Sequence, residues 1–263
     1  ITDPVVSWEI INSAGEVFKK GEFLPQEIPI GNNTVLGEIN VSLHKITKAE
    51  ELSLWVSIDG TAIVNYWDFW VYPSKQAVTP GSVIIAHSLD QDVVKKLNDG
   101  KSVLLLTYGK VKKEKGGDVA IGFSSIFWNT AWTNGQAPHT LGILCNPENP
   151  VFREFPTEFH SNWQWWDPMS HSQAMILDEF PPELTPLIQP IDTWFENRRL
   201  AMLFETKVGK GKLMVCSIDL ESDLSKRPVA TQLKHSILKY MNSWEFDPEV
   251  EVEPTEIEEL LTP

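Results

Sequence analysis

The sequence predicts an all-β domain followed by an α/β domain, and three observations support this arrangement. The chain has 263 residues, enough for one large domain or two ordinary ones. Apolar and polar residues alternate up to about residue 73, as in strands with one buried face. From about residue 80, continuous apolar runs and helical patterns follow one another, as in a sheet covered on both faces.

Short strands separated by turn residues are predicted over residues 1–73. The segments EINVSLHKI (38–46) and ELSLWVSIDG (51–60) alternate between apolar and polar side chains, which predicts half-buried strands. A third segment, NYWDFWVYP (65–73), alternates in the same way and ends at Pro73. Strands of this length and spacing predict an antiparallel sandwich.

A strand–helix–strand unit opens the second half. The apolar run GSVIIAH (81–87) precedes Ser88 and Gln91, which have the spacing of a capping box, and a helical stripe follows. Gly100 is placed to end this helix, and SVLLLTYG (102–109) is a second continuous apolar strand. The pattern is that of a βαβ unit.

Later apolar runs extend the same sheet, so the second domain is predicted over residues 74–244. The runs are HTLGILC, QAMILDEF, LAMLFETK and KLMVCSIDL. The last two are joined by VGKG, as expected of a hairpin, so the predicted sheet is mostly parallel but mixed. A final helix after Pro228 carries an apolar stripe that should pack on the sheet.

The charge of the chain excludes some partners. A net charge of −14 argues against nucleic acid and anionic membranes. Eight acids and no Lys or Arg occur in residues 245–263, which predicts a solvated, mobile acidic tail. No apolar run approaches the roughly 18 residues of a membrane-spanning helix, and no signal peptide opens the chain. The abrupt start in a strand pattern indicates a chain cut from something longer.

The two cysteines, Cys145 and Cys216, lie in apolar runs. This position predicts buried, unpaired thiols, and a disulfide is the alternative that the sequence leaves open. The compartment is therefore only weakly determined by cysteine usage.

The segment FPTEFHSNWQWWD (155–167) is the main candidate for a functional site. Its aromatic rings could simply pack into the domain. They could instead form a platform for the apolar faces of sugars, with neighbouring polar side chains bonding the hydroxyls. A third interpretation is catalysis by Glu158 and Asp167 as a carboxylate pair, although nothing in their spacing fixes the separation of the two groups.

A second aromatic segment, FWNTAWTNGQAPH (127–139), precedes the strand HTLGILC. We expect both segments to converge on one rim of the sheet, since ligands bind at the carboxyl ends of strands in open α/β sheets. In an extended chain Trp163 and Trp165 would share one face, and Trp166 would take the other. At least one ring should then pack inward, and at least one should line a surface recess.

The candidate sugar-binding residues are Trp128, Asn129, Trp132, His139, Glu158, His160, Trp163, Trp165, Trp166 and Asp167. No metal site is predicted, because the histidines lack the paired spacing of zinc ligands, and no cofactor is predicted.

These segments resemble parts of a known enzyme group. SWEIINSAGEVFKKGEF, GEINVSLHKI and NYWDFWVYP resemble an immunoglobulin-like sandwich domain of bacterial glycoside hydrolase family 2 enzymes of the β-galactosidase type. The segments FWNTAWTNGQAPHTLGILCNPENPVFREFPTEFHSNWQWWD and SQAMILDEFPPEL resemble the region after the catalytic barrel in polysaccharide-degrading members. That region looks like a flavodoxin-like domain of the class I glutamine amidotransferase type. The resemblance spans roughly residues 5–244.

The resemblance implies the non-catalytic C-terminal region of a periplasmic or secreted glycoside hydrolase. Its partner would be the catalytic (β/α)₈ barrel of the same parent chain, and it would shape or extend a sugar site. The two catalytic glutamates of the family have no counterpart, because such a barrel needs about 200 residues or more and no Asn-Glu pair occurs here.

Two alternatives stay open beside this interpretation. The first is a carbohydrate-binding module that acts on its own. The second is an enzyme that uses the amidotransferase-like fold. Against the second, the turn after the strand LLLT offers Tyr108 and Gly109, where that class has a nucleophilic cysteine.

Overall fold

The computed structural model describes residues 4–24, 26–74, 78–123 and 137–262. The chain divides into two compact units, Ile1–Lys75 and Gln76–Pro263. Within the described residues, no helix is long and apolar enough to cross a membrane.

The first unit contains one antiparallel sheet of four strands in the order β2-β1-β3-β4. The strands are β1 (Val6–Asn12), β2 (Val17–Glu22), β3 (Glu50–Ile58) and β4 (Val64–Val71). Alternation places Val6, Ile10 and Leu52 on one face, where all three are buried. A turn joins β1 to β2, because the Asn12 side chain accepts hydrogen bonds from the N–H groups of Ala14 and Glu16.

One predicted strand of this unit is wrong. Residues 38–46 form no strand, although Ile39, Val41 and Leu43 alternate with polar residues as expected. Alternation creates a strand only where a neighbouring strand accepts the backbone hydrogen bonds. Here the N–H of Ile46 turns back to the carbonyl of Leu43 instead. The described part of this unit therefore contributes a single sheet and not the two layers of a sandwich.

The second unit is built on a six-stranded sheet in the order β5-β6-β12-β11-β9-β7, and β8 pairs with β10 in a separate two-stranded sheet. The strands are β5 (Ile84–Ala86), β6 (Ser102–Leu106), β7 (Ile143–Cys145), β8 (Met175–Ile176), β9 (Ile188–Pro190), β10 (Leu200–Ala201), β11 (Leu203–Val208) and β12 (Gly211–Cys216). The helices are α1 (Gln91–Asn98), α2 (Trp166–Ser170), α3 (Pro228–Met241) and α4 (Pro254–Leu260).

The sheet is mixed, as the sequence predicts, but it is not mostly parallel. Of the neighbouring strand pairs in the described sheet, β5–β6 and β6–β12 are parallel, whereas β12–β11, β11–β9 and β9–β7 are antiparallel. The segment QAMILDEF was predicted to join this sheet, and that is wrong. Its strand β8 pairs with β10 in the small sheet.

The predicted βαβ unit is present as β5, α1 and β6. Its N-cap differs from the prediction, because the side chain of Asp90, and not of Ser88, accepts the hydrogen bond from the N–H of Val93 at 2.9 Å. Gly100 follows the helix with a φ of +80°, a backbone conformation that glycine adopts without strain. The helix buries Val93 and Leu97 on the sheet.

The acidic C-terminal segment is not a solvated tail, so this prediction is wrong. Glu253 and Glu256 form a reciprocal capping box that begins α4, and Ile257, Leu260 and Leu261 are buried. The N–H of Lys112 donates to the carbonyl of Leu260, which fixes the end of the helix. Phe246 and Val252 are buried as well, so five buried apolar side chains anchor the segment, while most of its acids are exposed.

We predict that Ile257→Ala destabilises the protein by roughly 2–5 kcal/mol, because this substitution empties a fully buried position of the core. The exposed Glu259→Ala in the same helix should change stability by less than about 0.5 kcal/mol. Urea denaturation followed by circular dichroism measures both. Equal midpoints for Ile257→Ala and the wild type would contradict the packing of α4.

Candidate functional site

A surface cluster of three aromatic rings lies where the sequence predicts a site. The rings of Phe123 and Trp163 are stacked with centroids 5.5 Å apart, and Trp166 meets Phe123 edge-on at 5.3 Å. Trp163 and Trp166 are 73% and 55% exposed. We call Phe123, Trp163 and Trp166 the aromatic cluster. Its indole rings offer large apolar faces to solvent.

Local helical geometry, and not an extended chain, arranges these rings. Residues Trp163–Trp165 form a 3₁₀ turn, and α2 begins at Trp166. Residues three apart in such a turn lie on the same side, so Trp163 and Trp166 are neighbours. The expectation that Trp163 and Trp165 share a face is therefore wrong. The Asn162 side chain caps the turn by accepting from the N–H of Gln164 at 3.0 Å.

Trp165 anchors the turn from below. It is fully buried, and it meets the rings of Phe152 and Phe155 edge-on. Its Nε1 donates to the hydroxyl of Thr157 at 2.8 Å, and the side chain of Gln164 donates to the carbonyl of Pro156. The Trp-rich segment thus divides, with Trp165 in the core and the two flanking tryptophans on the surface.

Polar side chains adjoin the aromatic cluster in sequence. The amide of Asn162 donates to Oε2 of Glu158 at 3.1 Å, and Nε2 of His160 lies 3.6 Å from the same oxygen. The side chains of Glu158 and His160 are both about half exposed. His160 is positioned by an antiparallel bridge to Leu144, next to β7 in the main sheet. Acceptors and donors for sugar hydroxyls therefore lie near the turn that carries Trp163, because Glu158 is bonded to Asn162, the residue that caps this turn.

Four other candidate residues come from the segment 127–139. Nδ1 of His139 lies 2.7 Å from the carbonyl of Thr140, and His139 lines a recess of about 720 Å³ with Thr193 and Arg198. The other three candidates, Trp128, Asn129 and Trp132, lie outside the described residues.

Asp167 is engaged in ion pairs inside the fold. Its Oδ1 accepts from Nε of Arg227 at 2.8 Å and lies 3.2 Å from Nδ1 of His171. Arg227 also reaches Oδ2 of Asp219 at 3.3 Å, which links α2 to the chain after β12. Asp167 therefore forms a structural ion pair with Arg227. This role argues against Glu158 and Asp167 acting together as a catalytic pair.

A charged cluster at the carboxyl ends of the parallel strands was missed by the sequence reasoning. His87 follows β5, and its Nδ1 lies 3.5 Å from Glu221, which follows β12. The ammonium of Lys234 in α3 lies 3.7 Å from the other oxygen of Glu221. The signal was present, because His87 directly follows an apolar strand, Glu221 lies five residues after another, and Lys234 lies on the helix that covers the sheet.

The cysteines are placed as core residues. Cys145 and Cys216 are buried and unpaired, as the sequence predicts. Burial raises the pKa of each thiol to about 12, so the thiolate is not accessible near neutral pH. Among the described residues, no group of three or more His, Cys, Asp or Glu side chains could hold a metal ion.

A family model described as Domain of unknown function (DUF8487) matches residues 84–262, and the chain belongs to this family. A second model, Domain of unknown function (DUF8488), matches residues 1–73. No curated protein matches the chain. Neither family description names an activity.

We predict that Trp165→Ala destabilises the protein by roughly 3–5 kcal/mol, because Trp165 is fully buried against two phenylalanine rings. The matched change Trp163→Ala, two residues away on the surface, should cost no more than about 0.5 kcal/mol. Chemical denaturation distinguishes the two. Similar losses of stability for both variants would contradict the division of this segment.

The Asp219 carboxylate gives a pH-dependent prediction. Its burial acts to raise the pKa, but hydrogen bonds from the N–H groups of Ser222 and Glu221, together with Arg227, outweigh burial and lower the pKa below its ordinary value. A depressed pKa contributes stability above the unfolded pKa of about 3.9, and the contribution is lost as the pH falls through the folded pKa.

Asp219→Asn should therefore lower the free energy of unfolding at pH 7, and the difference from the wild type should shrink below about pH 4. Asp223→Asn, an exposed change in the same loop, serves as the control. Urea titrations at several pH values measure the effect. A difference that stays constant down to pH 2 would exclude the assigned ion pair.

Proposed function

We propose that this chain is the non-catalytic C-terminal region of a glycoside hydrolase of the β-galactosidase type. Its work is to contact carbohydrate beside a catalytic (β/α)₈ barrel that belongs to the same parent chain. The parent protein acts in the periplasm or outside the cell. The proposal extends the sequence resemblance to family 2 with the surface chemistry of the second unit.

The aromatic cluster is the observation that carries this proposal. Trp163 and Trp166 hold large apolar faces in water, on a turn that is fixed from below by the buried Trp165. Pyranose rings present apolar C–H faces that pack on aromatic rings, and their hydroxyls need donors and acceptors around them. Glu158 and His160 supply such groups near the turn that carries the cluster, since Glu158 is bonded to the capping residue Asn162.

The surroundings favour binding over catalysis. The thiols of Cys145 and Cys216 are buried, and their pKa values are raised to about 12, which disfavours an amidotransferase-type nucleophile. Asp167 is bonded to Arg227, so among the candidate residues Glu158 is the carboxylate that is left for such a role. Glycoside hydrolysis requires two carboxyl groups that flank the scissile bond.

The resemblance also implies a specific fold for each of the two units. An amidotransferase-like, flavodoxin-like second unit is supported by the parallel strands β5, β6 and β12 with α1 between the first two. For the first unit, the antiparallel four-stranded sheet supports an immunoglobulin-like fold as one of its two layers, and the second layer has no counterpart among the described residues. A carbohydrate-binding module that acts alone is the second candidate, and the same aromatic cluster favours it.

We predict that Trp163→Ala weakens binding of the chain to uncharged polysaccharide by about tenfold, equivalent to roughly 1.4 kcal/mol, because the substitution removes one ring of the platform. Affinity electrophoresis in gels that contain galactan, xylan or β-glucan measures the effect. Trp244→Ala, an even more exposed tryptophan outside the cluster, is the matched control. Equal mobility of Trp163→Ala and the wild type in every gel would refute the platform.

Turnover separates the proposal from its alternatives. The chain alone should not hydrolyse aryl β-galactosides or other aryl glycosides, and activity that is lost in Glu158→Gln would overturn the non-catalytic assignment. In the parent hydrolase, Trp163→Ala should slow hydrolysis of a polysaccharide but not of a small aryl glycoside, since only the polymer reaches the platform. Unchanged polymer hydrolysis would favour the module that acts alone.

A further inference from the structure

The sheet of the first unit carries a second aromatic and polar surface that is unrelated to the aromatic cluster. Its register aligns Lys20, Glu9, Trp55 and Tyr66 in one row across β2, β1, β3 and β4. Side chains in such a row stand on the same face of the sheet, because strand neighbours in register point the same way. The core residues Val6, Ile10 and Leu52 belong to the opposite face.

The two aromatic residues of this row form a stacked pair. The ring centroids of Trp55 and Tyr66 are 4.6 Å apart, and the ring planes differ by 15°. Tyr66 remains 52% exposed. The pair is held by the backbone register of β3 and β4, so both rings are oriented before any ligand arrives.

A recess of about 530 Å³ lies beside Trp55. Polar groups line it from three strands: the carboxylates of Glu9 and Glu22, the ammonium of Lys20, and the hydroxyl of Ser57. The volume lies in the range of small-ligand sites, which combine apolar walls with a few polar groups. The recess therefore has room for about one or two sugar rings.

An unsatisfied donor lies at the same place. Nε1 of Trp55 is buried and has no hydrogen-bond partner among the described residues. A buried indole N–H normally finds an acceptor, and leaving it without one is unfavourable. A hydroxyl or ring oxygen in the recess would supply an acceptor near this ring.

We propose that this face is a binding site for an uncharged saccharide, separate from the site on the second unit. Trp55 and Tyr66 provide the aromatic wall, Glu9 and Glu22 accept hydrogen bonds from hydroxyls, and Lys20 donates one. Two carboxylates against one ammonium give the recess a net negative charge, which repels uronic acids and sulfated sugars. The ligand class is therefore neutral pyranose oligosaccharides.

The test uses the whole chain in affinity electrophoresis with neutral polysaccharides (galactan, xylan, β-glucan and mannan) and with polygalacturonate as the acidic comparison. Tyr66→Ala and Trp55→Ala should each weaken binding to a neutral polymer by about tenfold. Trp67→Ala, an equally exposed change on the opposite face of β4, should have no effect. Glu9→Gln, which preserves the fold and the size of the side chain, should also weaken binding.

The outcomes are distinguishable from those of the proposed function. Loss of binding in Tyr66→Ala but not in Trp163→Ala supports this site and counts against the aromatic cluster, whereas the reverse overturns this site alone. Partial losses in each variant, with a larger loss in the double variant, support both sites. Absence of binding to every neutral polymer, stronger binding to polygalacturonate, or an equal effect of Trp67→Ala overturns the inference.

Discussion

The central strand of the second unit must be covered on both faces, and the arrangement of that unit depends on this constraint. In β12, Leu213 and Val215 point to one side and Met214 and Cys216 to the other, and all four are fully buried. β6 repeats the pattern beside it, since Val103 and Leu105 belong to one hydrophobic cluster and Leu104 and Leu106 to the other. A strand of this kind is stable only between two apolar layers.

Different parts of the chain supply these two layers. On one face lie α3 and the segment that contains Phe152, Phe155 and Trp165. On the other lie α1 and α4, so the C-terminal segment is required to complete the second layer. Trp165 is buried in the first layer, and its burial fixes the turn that holds Trp163 and Trp166 at the surface. The exposed rings on the surface and the packing in the core are therefore two results of one constraint.

Local features of this fold were predictable from the sequence, whereas pairing over long distances was not. The βαβ unit, the β11–β12 hairpin and α3 lie within short segments whose periodicity and turn residues determine them. The directions of β7 and β9 depend on partners far along the chain, which a single sequence does not reveal. The strand predicted at residues 38–46 failed for the same reason, because no neighbouring strand pairs with it.

In the C-terminal segment, the acidic composition and the spacing of the apolar residues lead to different predictions. Its eight acids predict a solvated tail, yet Ile257, Leu260 and Leu261 have the spacing of an apolar helical stripe, and Glu253 and Glu256 have that of a capping box. Charge alone does not prevent docking when the acids lie on the outer side of a helix. Together with Phe246 and Val252, these three buried side chains hold the segment on the folded unit and leave most of its acids exposed.

The candidate sites illustrate the same limit. The residue types at 155–167 predicted a site at this segment, but whether Trp163 would lie beside Trp165 or Trp166 depended on the 3₁₀ turn, which an extended chain does not have. The ion pair of Asp167 and Arg227 joins residues 60 positions apart and could not be predicted from spacing. Sequence thus indicated the chemistry of the site but not its geometry.

Both proposed surfaces solve the same physical problem, which is to keep large apolar rings in water without losing their orientation. An exposed ring on a flexible loop would lose conformational freedom on binding and so weaken affinity. Trp163 avoids much of this cost because the buried Trp165 fixes its turn, and Trp55 avoids it because strand register and Tyr66 fix its plane. Apolar surface on such a rigid support favours binding of a ligand. Little conformational entropy is lost on binding, so more of the free energy from burying the rings contributes to affinity.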